Sequence, residues 1–215
     1  MPDSFDERDM QVSFSPPNQL TLLRIILTPV FVVFLFSPSP LLQQLSVLVF
    51  IVALLTDWYD GWVARRWGYA SRWGAFLDPL ADKVLSSAAF VSFIYLDLTP
   101  AWPIWLIVVR DISITLLRSY SEYKGKAFVT QKLAKTKTFL QFTLLFYLLL
   151  LFVAARTPSL LARWQKTIAL LLDPALVTVL TVLVAALTIW TGAVYLIENR
   201  KTIRTLYAVP DRAPQ

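Results

Sequence analysis

The sequence predicts an all-α, polytopic integral membrane protein, six transmembrane helices around a cytoplasm-facing cavity. Of its 215 residues 57% are hydrophobic and only 16% charged, against about 45–50% and about 25% in soluble domains. Six apolar runs have the length needed to cross about 30 Å of hydrocarbon. The basic residues gather in alternate connectors, the bias that sets orientation in a membrane.

A polar, acidic lead-in, residues 1–17, lacks the cationic start and small-residue cleavage site of a secretory signal and reads as a cytoplasmic or interfacial segment. The first predicted span is Leu20 to Phe36, and Ser37, Pro38, Ser39 and Pro40 form a tight turn into the second, Leu41 to Trp58. The third runs from Asp78 to Asp97; Thr99, Pro100 and Pro103 mark the turn into the fourth, Trp102 to Leu117. The fifth, Thr138 to Ala155, and the sixth, Ala175 to Ile197, are poor in polar residues, and the lone Gly192 gives no GxxxG association signal. Residues 18–199 thus make one membrane domain, followed by a basic tail at 200–215.

Arg65, Arg66, Arg72 and Lys83 surround the second connector, Arg118, Lys124, Lys126, Lys132, Lys135 and Lys137 the fourth, and Arg200, Lys201, Arg204 and Arg212 lie in the tail. Positive charge marks the cytoplasmic side, so both termini and both long polar connectors are expected there. Arg156, Arg163 and Lys166, between the fifth and sixth spans, pull mildly the other way. The excess of 20 Lys and Arg over 14 Asp and Glu suits anionic lipid or a phosphorylated substrate; in a chain this apolar no nucleic-acid partner is expected. With no cysteine and no histidine, disulfide scaffolds, thiolate or imidazole metal sites and mechanisms with a histidine base are excluded.

Four aspartates fall at the membrane surface between the second and third spans: Asp57 and Asp60, then Asp78 and Asp82. Spacings of three and four put each pair on one helix face. An antiparallel pair of helices brings all four to one point at cytoplasmic depth, where they repel unless cations lie between them. Oxygen-only ligands suit Mg²⁺, Mn²⁺ or Ca²⁺, and several carboxylates can hold two such ions across a substrate's phosphates. The bland alternative pairs them with Arg65, Arg66 and Arg72 as interfacial residues. Gly61, Ala64 and Gly74 lie on the same segment, where missing side chains admit a flat base or a diphosphate, or simply a neighbouring helix.

The string Asp57, Asp60, Gly61, Ala64, Arg65, Gly74, Asp78, Asp82 resembles the motif of the CDP-alcohol phosphatidyltransferases, D-x2-D-G-x2-A-R-x8-G-x3-D-x3-D, with every spacing met over 26 positions. The resemblance implies that the four aspartates ligate two divalent cations, Mg²⁺ or Mn²⁺, and that Asp82 also acts as general base. It implies that Gly61, Ala64, Arg65 and Gly74 shape the site for the CDP group of CDP-diacylglycerol, with CMP as the leaving group, and that the protein is a homodimer. Further strings, PPNQLTLLRIILTP, LDPLADK, RDISITLLR, AKTKTFLQ and GAVYL, are similar to the branch of the family whose acceptor is sn-glycerol 3-phosphate. Asn18, Thr21 and Arg24 match its amino-terminal motif, which assigns Asn18 and Thr21 to the CDP site; a helix start with a snorkelling Arg24 is the alternative.

The acceptor must be read from other basic residues. Arg110 and Arg118 lie eight apart in the fourth span, where charges normally face a protein interior or an aqueous cavity. With Lys135 and Lys137 they make a cationic pocket for a phosphate monoester. The alternatives are an internal ion pair of Asp111 with an arginine, and lysines that merely anchor the fifth span. Asp111 stands where the family more often has Glu, and Ala134 where it has Gly, which leaves phosphatidylglycerol or inositol phosphate open as acceptors. A cation channel or transporter is the reading from another class, disfavoured because the aspartates sit at one surface among arginines. Bacterial-style motifs without organelle-type targeting point to a bacterial inner membrane.

Overall fold

In the computed structural model the described residues are 16–67, 72–124, 128 and 132–207, with side chains described except at 16–21, 57–67, 72–79, 123, 132–135, 205 and 207. The described residues fold into helices and connecting turns, with no strand among them. Six long helices contain the predicted apolar runs: α1 (Pro16–Leu35), α2 (Pro40–Trp67), α3 (Arg72–Tyr95), α4 (Ala101–Tyr123), α5 (Lys132–Arg156) and, after the short α6 (Pro158–Leu171), α7 (Pro174–Glu198). A second short helix, α8 (Arg200–Tyr207), follows.

Helices α1 and α2 form an antiparallel hairpin through the expected Ser-Pro turn. The Gln43 amide donates to the Ser37 carbonyl at 2.9 Å, and the Phe31 and Phe50 rings meet at 5.2 Å. Arg24, Thr28, Phe31 and Leu35 line the buried face of α1 at helical spacing, against Gln43, Ser46, Phe50 and Ala53 of α2. Between α3 and α4 the chain turns at Asp97, whose φ of 57° is left-handed, and the Leu98 amide returns to the Phe93 carbonyl at 3.0 Å. This closes the free carbonyl end of α3; a short polar residue tolerates the conformation. Pro174 starts α7, whose end is capped by Asp173 accepting from the Ala175 and Leu176 amides at 3.0 and 3.1 Å.

Packing joins the long helices in the spatial order α1, α3, α4, α7, α5, α2, with α3 also touching α5. Helix α1 packs against both α2 and α3, while α2 and α3 touch only sparingly. The two aspartate-bearing helices therefore do not pack along their length as the simple antiparallel pair had suggested. The α4–α7 contact is parallel and in register: Thr99 bonds Thr181 at 3.3 Å and Arg110 bonds Thr191 at 3.3 Å, separations of 82 and 81 residues. Small and hydroxyl residues, Thr181, Ala185, Thr188, Thr191 and Gly192, form the buried face of α7 that permits this approach.

Two helices, at Thr136–Arg156 and Pro174–Glu198, are by themselves long and apolar enough to cross a membrane; Leu22–Leu35 and Pro40–Thr56 are shorter apolar stretches. Outward-facing Leu48, Val52 and Leu55 on α2 and Val179, Leu183, Trp190 and Ile197 on α7 form apolar surfaces. Such surfaces suit lipid and are unsuited to water. The segment with Arg156, Arg163 and Lys166, expected as a loop, is instead the amphipathic α6, broken at Trp164 (φ −122°, ψ 22°). The first half of the tail is likewise helical.

Candidate active site

Asp57 and Asp60 lie inside α2, which continues to Trp67, and Asp78 and Asp82 lie in the early turns of α3. The pairs keep their spacings of three and four within continuous helices. The side chains of Asp57, Asp60, Gly61, Ala64, Arg65, Gly74 and Asp78 lie outside the described ones, as do those of Asn18, Thr21 and Lys135. Among the described residues no three potential metal ligands converge, because three of the four aspartate side chains are not among them.

Asp82 is described, and its surroundings are informative. Its carboxylate lies 3.3 Å from the ammonium of Lys83, which is also 3.9 Å from the carboxylate of Asp111 on α4. Asp111 is the centre of a buried cluster. Its Oδ1 accepts from Lys137 Nζ of α5 and from Arg110 Nη1 at 3.1 Å, and Gln141, one turn beyond Lys137, lies within hydrogen-bonding reach. Lys137 and Asp111 are each 3% exposed. The ion pair weighed as an alternative for Asp111 thus exists, and it is wider than one arginine. Lys137 is a buried partner of Asp111 rather than an interfacial anchor.

Arg110 is held from two helices. Its Nη2 donates to Thr191 of α7 at 3.3 Å, and its Nε and Cγ lie so close to Gly192 that an added Cβ would meet them at 2.7 and 3.2 Å. The glycine makes room for the guanidinium. Arg118, two turns along α4, does not join Asp111: it pairs with Glu122 at 2.8 Å and is 49% exposed. Arg24 does not snorkel either. It is 1% exposed, and its Nε donates to the Ala53 carbonyl of α2 at 3.4 Å.

Three cations, Lys83, Arg110 and Lys137, therefore surround the single carboxylate of Asp111, an excess of two positive charges before Asp82 is counted. Buried charge without a counter-charge is costly, so this arrangement suits an anion. The profile of the CDP-alcohol phosphatidyltransferase family matches residues 14–197.

The chain belongs to the CDP-alcohol phosphatidyltransferase family. Among curated relatives, a protein of Bacillus subtilis (strain 168) is 36% identical over 140 residues, 60% of this chain and 72% of its own. One of Salmonella typhimurium (strain LT2) is 39% identical and one of Escherichia coli (strain K12) 38% identical, each over 144 residues, 64% of this chain and 78% of theirs. All three are named CDP-diacylglycerol–glycerol-3-phosphate 3-phosphatidyltransferase. In the cluster α3 carries the last motif aspartate, and Lys83 links it to the basic group of Arg110 on α4 and Lys137 on α5, with α7 seating Arg110 through Thr191 and Gly192. The sequence had placed Lys83 among the connector charges and left Gln141 and Thr191 unassigned. The adjacency of Lys83 to Asp82 in LDPLADK was the available signal.

Proposed function

We propose that the chain transfers the phosphatidyl group of CDP-diacylglycerol to sn-glycerol 3-phosphate, releasing CMP at the cytoplasmic side of a membrane that its six long helices cross. The observation that carries this reading is the double contact of Lys83, 3.3 Å from Asp82 and 3.9 Å from Asp111. It sets the last motif aspartate beside a basic cluster of the right charge for an acceptor. The names of the relatives, at 36–39% identity, supply the donor and the acceptor.

A phosphate monoester carries about −1.5 to −2 charges near pH 7 and is drawn to this cluster, which keeps a positive excess even when Asp82 is counted beside Asp111. Arg110, steadied by Asp111 and Thr191, offers its planar fork to the phosphate, and Lys137 and Lys83 supply further charge. Lys135 and Arg118 are assigned to the same phosphate. The acceptor hydroxyl attacks the lipid-side phosphorus, the bond from that phosphorus to the bridging oxygen breaks, and CMP leaves with that oxygen. Asp82 takes the hydroxyl proton as the new bond forms.

The oxygen-only donor set of Asp57, Asp60, Asp78 and Asp82, carried at fixed spacing on two helices, fits two Mg²⁺ or Mn²⁺ ions. When bound, such ions neutralise charge developing on the diphosphate. Gly61, Ala64, Arg65, Gly74, Asn18 and Thr21 receive the CDP group. A homodimer in a bacterial inner membrane, with both termini and the site facing the cytoplasm, completes the proposal.

The test is CMP release by purified protein given CDP-diacylglycerol and Mg²⁺ or Mn²⁺, with glycerol 3-phosphate, phosphatidylglycerol, inositol phosphate or no acceptor. Release that requires glycerol 3-phosphate is expected. Release with another acceptor alone overturns the acceptor assignment, and cation flux in liposomes without CMP release overturns the whole reading.

A further inference from the structure

Arg156, Arg163 and Lys166, in and just before α6, are cations that run against the orientation of the chain. They lie between the fifth and sixth spans, on the side that positive charge normally avoids. All three are exposed, and among the described residues none forms an ion pair; Arg156 stands over the Phe152 ring at 5.3 Å. The one carboxylate between Arg156 and Pro174, that of Asp173, is engaged in capping α7. Neither the basic cluster around Asp111 nor the packing of the long helices uses these charges.

The fold fixes where α6 lies. Gln44 Nε2 of α2 donates to Thr157 Oγ1 at 3.0 Å, and the Tyr147 hydroxyl of α5 donates to the Leu171 carbonyl, so both ends of α6 are tied to the bundle. Pro174 stands 17 residues before Thr191, the α7 residue bonded to Arg110, about 25 Å at a rise of about 1.5 Å per residue. That distance is most of the about 30 Å of hydrocarbon in a bilayer, so α6 belongs to the face opposite the Asp111 cluster. With 14 residues it is too short to cross, and it joins the end of one membrane-length helix, Thr136–Arg156, to the start of another, Pro174–Glu198. Its course is along the membrane surface.

Its sequence suits that course. Leu160, Leu161, Trp164, Ile168 and Leu171 recur on one side of the helix, and Ser159, Arg163 and Lys166 fall on another. Ile168, beyond the break at Trp164, is buried, whereas Leu160, Leu161 and Trp164 are 44, 37 and 52% exposed. Leu150 of α5 and Leu176 and Val179 of α7, near the adjoining helix ends, are exposed as well. Aliphatic residues and tryptophan on one side with Lys and Arg on the other make a helix that rests in the headgroup layer. The phosphates of anionic lipids supply the counter-charge that the protein does not.

We propose that α6 docks in the headgroup layer of the leaflet opposite the active site and gathers anionic phospholipid there. Leu160, Leu161 and Trp164 enter the acyl region, and Arg156, Arg163 and Lys166 meet lipid phosphates. The inference rests on the membrane orientation given above and is independent of the acceptor.

The chain has no cysteine, so Leu161→Cys gives the full-length protein one site for a fluorophore. The labelled protein is placed in phosphatidylcholine vesicles containing nitroxide-tagged phosphatidylglycerol or, at equal mole fraction, nitroxide-tagged phosphatidylcholine. Quenching by the anionic lipid is expected to be about threefold stronger, as basic residues concentrate such lipids around them. Adding Arg156→Gln, Arg163→Gln and Lys166→Gln should make the two lipids quench equally while CMP release continues at the wild-type rate. Equal quenching before those changes, or selectivity that survives them, overturns the inference. Quenching by neither lipid means that protein, a second copy included, covers the face, and overturns it too. Ser159→Cys in intact bacterial cells is expected to react with an impermeant thiol reagent added outside; reaction only after the cells are broken overturns the orientation and the inference with it. Selective quenching by a protein that releases no CMP with any acceptor overturns the proposed function alone.

Discussion

Lys137 of α5 donates to the carboxylate of Asp111 on α4, and both side chains are 3% exposed. This pair joins two helices at the level where the chain also carries Arg110 and Lys83. Removing one member leaves the other charge buried without its nearest partner, a loss on the order of 3–5 kcal/mol. Lys137→Met is therefore expected to lower the melting temperature in detergent sharply and to abolish turnover. Lys137→Met combined with Asp111→Leu should recover only part of the stability, because Arg110 and Lys83 then lack the Asp111 carboxylate, and none of the activity. Recovery of both would show that the pair serves only the fold.

Gly192 predicts a milder effect. An alanine there would set its Cβ 2.7 Å from Arg110 Nε, but Arg110 is long and flexible, and alanine is favoured over glycine within a helix by roughly 0.5–1 kcal/mol. Gly192→Ala should accordingly fold with near-normal stability while displacing the guanidinium from Thr191. A several-fold rise in the acceptor KM with an unchanged donor KM is the expected kinetic result. Unchanged acceptor kinetics would mean that the seat on α7 does not position Arg110 for binding.

Much of this arrangement was legible in the sequence, and the limits have physical causes. The Ser-Pro turn, the apolar runs and the four aspartates announce themselves through local composition and spacing. The charge at Asp111 showed that a partner must exist within the protein, but Lys137 lies 26 residues away on another helix, and its place before the fifth apolar run made it resemble an ordinary anchor. Gly192, with no second glycine to make an association motif, gave no sign that it accommodates an arginine. Helix α6 was hidden because Arg156, Arg163 and Lys166 resembled loop charges, although Leu161, Trp164, Ile168 and Leu171 recur at helical spacing.

Asp82 has two proposed duties, and a conservative change separates them. Asp82→Asn keeps the size and part of the coordinating capacity but removes a strong proton acceptor. Turnover should fall by about two to four orders of magnitude, the range of general-base catalysis, while CDP-diacylglycerol binding remains measurable. Complete loss of donor binding would make Asp82 chiefly a ligand.

Divalent ions are expected to be indispensable. Chelation should stop CMP release, and added Mg²⁺ or Mn²⁺ should restore it to its starting rate. Undiminished release in excess chelator would contradict the assignment of Asp57, Asp60, Asp78 and Asp82.

The most direct measurement is two-substrate kinetics of Arg110→Ala, because Arg110 joins the Asp111 cluster to its α7 seat and is the residue best placed to hold the acceptor phosphate. A KM for glycerol 3-phosphate raised by about tenfold or more, with the KM for CDP-diacylglycerol little changed, is the predicted result. An unaltered acceptor KM, or a loss confined to the donor, would contradict an acceptor site built on Arg110, Asp111 and Lys137.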